Sequence, residues 1–198
     1  MAITKQKILE LATKRILKTE EAVKLGMSRQ ALAKLVESGE LIRTARGLYI
    51  SPDFELTENH SLAEAAKRFP KSVVCLLSAL QYYGISLEMP HHVWIAIPRG
   101  SRIPSSKDLR LRTTQFSEPA FSEGIKTYTI EGVKVRIYSP AKTVADCFKF
   151  RNQITTAVAY EALKNVWYEK KATSAELVRY AKTCRVYNVM RPYLETLS

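Results

Sequence analysis

The sequence predicts an α+β protein, an N-terminal winged helix-turn-helix followed by a mixed α/β domain with a mostly antiparallel sheet flanked by helices. Three observations predict it. Residues 19–52, TEEAVKLGMSRQALAKLVESGELIRTARGLYISP, run in the order short helix, glycine turn, second helix, basic hairpin. From His92 the apolar spacing changes from helical to alternating, which marks a sheet. After Ser139-Pro140, a cap and first-turn pair, helical spacing returns to the C-terminus.

The first helix rests on Ile8, Leu11, Ala12 and Ile16, with Thr4 as its expected cap and Lys5, Lys7, Lys14 and Arg15 toward solvent. Thr19 is the expected cap of the second helix. Glu20 and Glu21 suit the positive end of its dipole, and Ala22, Val23 and Leu25 form its buried side. Gly26 can take the left-handed conformation that turns the chain. Ser28 then caps a helix whose inner face is Ala31, Leu32, Leu35 and Val36 and whose outer face is Arg29, Gln30, Ala33, Lys34 and Glu37. Long polar side chains beside a small alanine let such a face approach the major groove of DNA. The hairpin that follows, residues 41–50, places Arg43, Arg46 and Gly47 at or near its turn, where two arginines can straddle a phosphate or enter a minor groove. A winged helix can equally serve as a protein-docking module, and that reading stays open.

The polar stretch PDFELTENH, residues 52–60, reads as a linker, dividing the chain into a DNA-binding domain of residues 1–58 and an α/β domain of residues 59–198. Ser61 and Glu64 read as a capping box for a helix through Arg68, stopped by Phe69-Pro70. SVVCLLSALQYYG, residues 72–84, is apolar on nearly every side and reads as a buried helix. Four strands are expected: residues 92–97, 109–113, 125–130 and 133–138. The first two are joined by the loop PRGSRIPSSK and the last two by the hairpin turn Glu131-Gly132. Helices are expected from Ser139 to about Arg151, from Thr155 to Tyr168, and from Ser174 to about Tyr187.

The chain has 198 residues, 46% of them hydrophobic, and a net charge of +12 from 31 basic and 19 acidic residues. Residues 1–60 hold ten basic and eight acidic groups, a net of +2, so residues 61–198 carry 21 and 11, a net of +10. Such a balance favours a polyanionic partner. Basic candidates for additional DNA or partner contacts are Lys67, Arg68, Lys71, Arg99, Arg102, Arg110 and Arg112. Cys75, Cys147 and Cys184 lie 72 and 37 residues apart, which fits no zinc spacing and predicts reduced, buried thiols in a cytoplasmic protein. Neither a signal peptide nor a membrane span is predicted, and no cofactor or metal is expected. A metal-dependent nuclease would draw on Asp146, Glu131 and Lys134, yet their spacing supplies no second carboxylate beside Asp146. His60, His91 and His92 form no metal or nucleophile pattern, so no catalytic residue is assigned.

The segments GELIRTARGLYISP, CLLSALQYYG, VWIAIPRG and YSPAKTVADCFKF, in that order, resemble the AbiEi-type antitoxins of bacterial type IV toxin-antitoxin systems. The resemblance runs from about Ile8 to about Leu194. It implies a winged helix that represses its own operon through promoter inverted repeats in double-stranded DNA, and a C-terminal domain that counters a nucleotidyltransferase-like toxin. It is compatible with a monomer in solution that binds DNA in pairs. By position it implies DNA contacts from Ser28, Arg29, Gln30 and Lys34 on the second motif helix and from Arg43, Thr44 and Arg46 on the wing. In the second domain it matches 76–80 with Gly84, then Pro98, Arg99 and Gly100, then Ser139, Pro140, Lys142, Thr143 and Asp146. Lys142 stands where the family often has arginine, and Asp146 lies one helical turn beyond it, a spacing that suits an ion pair with a structural role.

Overall fold

The computed structural model describes residues 2–86, 88, 90–106 and 108–197, with side chains from residue 4 onward. Lys107, the last residue of the expected PRGSRIPSSK loop, lies outside them. The chain forms two compact units, Met1–Pro70 with Thr129–Val135, and Lys71–Tyr128 with Arg136–Ser198.

The first unit contains α1 (Ala2–Lys14), β1 (Leu17–Lys18), α2 (Thr19–Lys24), α3 (Arg29–Glu37), β2 (Ile42–Ala45), β3 (Leu48–Ile50) and α4 (His60–Arg68). The three strands form an antiparallel sheet in the order β1-β3-β2, with Leu17 opposite Tyr49 and Ile42 opposite Ile50. Its core joins Ile8 and Ala12 of α1, Ala22 of α2 and Leu32 and Leu35 of α3 to Leu17, Met27, Leu41 and Tyr49, whereas Val23, expected on the buried side of α2, is exposed. Three capping expectations are corrected. Thr4 lies inside α1, so it is not its cap. Lys18 is the residue before α2, and the Glu21 carboxylate accepts its N–H at 3.3 Å, which leaves Thr19 as the first helical residue. Asn59 precedes α4 without a side-chain cap, so Ser61 lies within the helix, and Glu64 pairs with Arg68 at 3.0 Å.

The expected boundary at residue 58 falls inside this unit. Glu131 accepts the Thr57 N–H at 2.8 Å and its hydroxyl at 2.9 Å, and lies 2.7 Å from His60 Nδ1. Lys67 bonds Glu21 at 2.7 Å. These bonds tie residues 57–67 to partners close in space and 46 to 74 positions away in sequence, a distance at which no local pattern reports them.

The second unit holds β4 (Val73–Val74), α5 (Leu76–Tyr82), β5 (Val93–Pro98), β6 (Leu111–Phe116), α6 (Pro140–Lys149), α7 (Arg151–Ile154), α8 (Thr156–Tyr168), α9 (Ser174–Thr183) and α10 (Tyr187–Glu195). The hairpin strands β7 (Ile125–Ile130) and β8 (Val133–Tyr138) complete a five-stranded sheet in the order β6-β5-β4-β8-β7, and Thr129–Val135, the end of β7, the turn and the start of β8, belong to the first unit. The mostly antiparallel expectation is corrected to a mixed sheet. β4 pairs antiparallel with β5, but β4 with β8 and β5 with β6 are parallel. Parallel neighbours need a long connection, and the described residues between β5 and β6 supply one without a helix. The buried helix expected over residues 72–84 is also corrected: Val73 and Val74 form the central strand, and the helix begins at Leu76. Two residues are too few to reveal a strand period, although their branched side chains suit one.

Ser139 caps α6 as expected, accepting the Lys142 N–H at 3.5 Å, with Pro140 in its first turn. Residues 140–148 are all buried, and α6 is the helix around which α5, α8 and α9 assemble. The last expected helix, Ser174 to about Tyr187, ends instead at Thr183, and a further helix, α10, follows it. At Arg185 the backbone takes φ +59 while the Val186 N–H bonds Ala181 O at 2.8 Å, a left-handed closure that ends α9 and lets α10 begin. The three cysteines are free and buried, and burial raises all three thiols, Cys184 to about 12.

Candidate nucleic-acid interface

The second motif helix, α3, owes its position to three local devices. The Ser28 hydroxyl accepts the Ala31 N–H at 3.1 Å and so starts the helix. Leu32 and Leu35 sink into the core and fix its rotation about its axis. The Leu41 N–H bonds Leu35 O at 3.0 Å and fixes its end. That rotation leaves Arg29, Gln30, Ala33, Lys34 and Glu37 exposed together. Among the described residues, no side-chain hydrogen bond or ion pair engages Arg29, Gln30 or Lys34. Their donors are hydrated, and exchanging water for phosphate or base edges costs no internal bond.

The wing is tied to the helix-turn-helix through its turn. β2 and β3 meet at Ala45 opposite Leu48, so Arg46 and Gly47 form a two-residue turn. Gly47 has φ +75, and its carbonyl accepts the Thr19 N–H at 3.0 Å and the Thr19 hydroxyl at 3.4 Å. A Cβ at Gly47 would sit 3.2 Å from Thr19 Oγ1, so only glycine gives both the dihedral and the approach without displacement. The wing therefore starts from the first residue of α2, and its arginines are referenced to the same frame as α3. Arg46 is exposed and, among the described residues, makes no side-chain bond. Arg43 is exposed with Nε 3.4 Å from Ala45 O, which leans it along the wing. Thr44 differs from its neighbours. The strand register shifts between Arg43 and Ala45, and the Thr44 hydroxyl is buried with no hydrogen-bond partner among the described residues. That hydroxyl faces protein.

Sequence reasoning passed over Lys24, which is exposed at the end of α2. The signal for it was present, since the first helix of such a motif crosses the DNA backbone and a basic last turn suits that contact.

The basic candidates beyond residue 60 fall into two groups. Lys67 is spent on Glu21 at 2.7 Å with its side chain one-tenth exposed, and Arg68 is spent on Glu64. Burial opposes ionisation of Glu21, but bonds from Lys67, the Lys18 N–H and Arg15 overcome it and hold the carboxyl below its ordinary range. Burial likewise draws the Lys67 ammonium below its ordinary value. Arg112 lies over the Trp94 ring at 4.7 Å. Lys71, Arg99, Arg102 and Arg110 are exposed, with no ion pair among the described residues.

The groups that a nuclease would need are engaged elsewhere. Asp146 is fully buried, with both carboxylate oxygens on Lys142 Nζ at 2.6 and 2.7 Å and the Cys184 thiol donating at 3.3 Å. Lys142 is also fully buried, 4.1 Å from the Tyr138 ring centroid. Burial pushes the Asp146 carboxyl up, against the pull of Lys142. The Glu131 carboxylate is filled by Thr57 and His60. Among the described residues no three His, Cys, Asp or Glu side chains converge as a metal site, and no helix is long and apolar enough to cross a membrane.

Residues 6–52, from α1 to the end of the wing, match the family described as transcriptional regulator, AbiEi antitoxin. No curated relative matches the chain. The crystal structure of the RV2827C protein from Mycobacterium tuberculosis is similar at a TM-score of 0.63, over 98% of this chain and 80% of that one, with 12% sequence identity. At that identity the likeness is one of fold.

Proposed function

We propose that this chain, whose residues 6–52 carry the AbiEi antitoxin regulator segment, is a sequence-specific DNA-binding repressor of its own toxin-antitoxin operon. The observation that carries the reading is the assembly of Arg29, Gln30, Lys34 and Arg46 as exposed groups with no internal partners among the described residues, on a helix and a wing locked together through Thr19 and Gly47. Arg29, Gln30 and Lys34 meet base edges and phosphates of the major groove, Arg43 and Arg46 hold the backbone or the flanking minor groove, and Ser28 places the N-terminus of α3 toward a phosphate. Promoter inverted repeats would bring two copies together on DNA. The remainder of the chain, the α/β domain expected from residue 59, acts as the non-enzymatic antitoxin part against a nucleotidyltransferase-like toxin of a type IV system. Its net positive charge also supplies sequence-independent attraction to DNA, with Lys71, Arg99, Arg102 and Arg110 as the exposed cations available for it.

The test is a gel shift of the full chain on the region upstream of its own gene against random duplex of equal length. Preference for the upstream region, lost on replacing Arg29 and Lys34 by alanine, supports the repressor. Equal binding to both DNAs supports the competing reading, a winged helix used for protein contact with general nucleic-acid adhesion.

A further inference from the structure

We infer that the loop from Arg99 to Pro104 is a minor-groove element, with Arg99 and Arg102 entering the groove of A·T-rich duplex and Ile103 wedged against a base step. It rests on the duplex-DNA reading above and adds a second, structurally separate contact to it. The loop is held at its base and open at its tip. β5 ends at Pro98, the Arg99 N–H bonds Phe116 O at 2.7 Å, and the Ser101 N–H returns to Pro98 O at 3.1 Å. Gln115 Nε2 donates to Ser101 O at 3.1 Å, a second tie to strand β6. Beyond these ties the chain projects. Gly100 has no atom within 4 Å of where a side chain would begin, and Ile103 is 63% exposed.

Two features of the tip select the ligand. Arg99 and Arg102 are exposed and, among the described residues, carry no hydrogen bond or ion pair from their guanidinium groups. Narrow A·T minor grooves concentrate negative potential and take up arginine in preference to lysine-like point charges. Between Arg102 and Pro104 stands a bare isoleucine, which phosphate attraction alone does not explain. Isoleucine and proline are wedge residues by which minor-groove proteins unstack a base step, and there the apolar side chain regains the burial it lacks in the free protein. A phosphate clamp would need the arginines only; an apolar protein contact would need Ile103 only. The groove uses both.

The experiment uses the full-length protein and three short duplexes without inverted repeats, one A·T-rich, one G·C-rich, and one in which inosine replaces guanosine. Inosine removes the minor-groove amino group and leaves the major-groove acceptors in place, so it reports which groove is read. Fluorescence anisotropy at low salt is expected to give about tenfold tighter binding to the A·T and inosine duplexes than to the G·C duplex. Arg99→Ala with Arg102→Ala should bring the three within about twofold of one another. Ile103→Ser should keep the preference and lose the shortening of end-to-end distance seen by energy transfer across the duplex. Equal affinity of the wild type for inosine and G·C duplexes, or a preference that survives in the double variant, overturns the minor-groove assignment while the repressor reading stands. A bend that survives Ile103→Ser overturns the wedge. A wild type that binds none of these duplexes overturns the minor-groove assignment, while the repressor reading still stands or falls on the upstream-region gel shift.

Discussion

The cations of this protein are deployed in two opposite ways, and the contrast separates those committed to folding from those left exposed and available to a partner. On α3 and the wing, Arg29, Lys34 and Arg46 stand exposed with no internal bond among the described residues. In α6, Lys142 is fully buried, bound by both oxygens of Asp146 and covered by aromatic rings. A buried ammonium is tolerable only with its partner present, so Lys142 has no charge left for a ligand. An exposed guanidinium contributes little to stability and keeps its full charge for one. Lys67, one-tenth exposed and paired with Glu21 at 2.7 Å, stands nearer the buried extreme. Basic composition alone does not distinguish these roles.

The sharpest break in the comparison is Asp146→Ala. It leaves Lys142 charged without its partner and should lower unfolding free energy in urea by about 3–5 kcal/mol. Lys142→Met combined with Asp146→Leu should recover most of that, because an apolar pair removes both desolvation costs. Next is Arg43→Ala with Arg46→Ala. It should leave the urea midpoint close to wild type, weaken operator binding, and reduce the slope of log affinity against log salt by about 0.9 for each phosphate no longer neutralised. An unchanged slope would remove the wing from the interface. Gly47→Ala tests the tie between wing and α2. The left-handed dihedral alone should cost about 1–2 kcal/mol in thermal or urea unfolding, and displacement from Thr19 should weaken DNA binding as well. Ser28→Ala removes the cap of α3 and should cost about 1 kcal/mol, read the same way.

The smallest effect concerns Glu21. Its folded carboxyl titrates below the ordinary value, so the stability it contributes is complete above about pH 4.3 and is lost as pH falls through the lower folded value. Glu21→Gln should flatten the acid limb of a pH-stability curve within that window and leave DNA affinity unchanged. A variant as acid-sensitive as the wild type there would show that the Lys67 and Arg15 bonds to Glu21 do not govern it.

Much of the candidate site was legible because its signals are local. Ser28 caps the helix three residues before the N–H it accepts, Leu32 and Leu35 repeat at helical spacing, and Gly47 falls between two short strands. Thr44 shows the limit. A bulge shifts the register beside it and turns its hydroxyl inward, and bulges leave no period in a four-residue strand. Lys67 and Arg68 looked like Lys71 and Arg110 in sequence. Their partners decided their roles, and Glu21 lies 46 positions from Lys67. The fold was legible to the same depth. The alternating strand 133–138 and the continuous apolar run expected at 92–97, observed at 93–98, are legible from their residues, whereas Val73-Val74 sits in the middle of the sheet unannounced.

By itself the sequence determined the order helix, turn, helix, basic hairpin, the caps at Ser28 and Ser139, and the excess of positive charge beyond residue 60, because each is a matter of neighbours along the chain. Only the tertiary structure decided which of those charges remain available, that the sheet is mixed, and that residues 57–67 fold with the first unit. The physical reason is that charge is set by composition, whereas its availability depends on desolvation and on partners brought together through space.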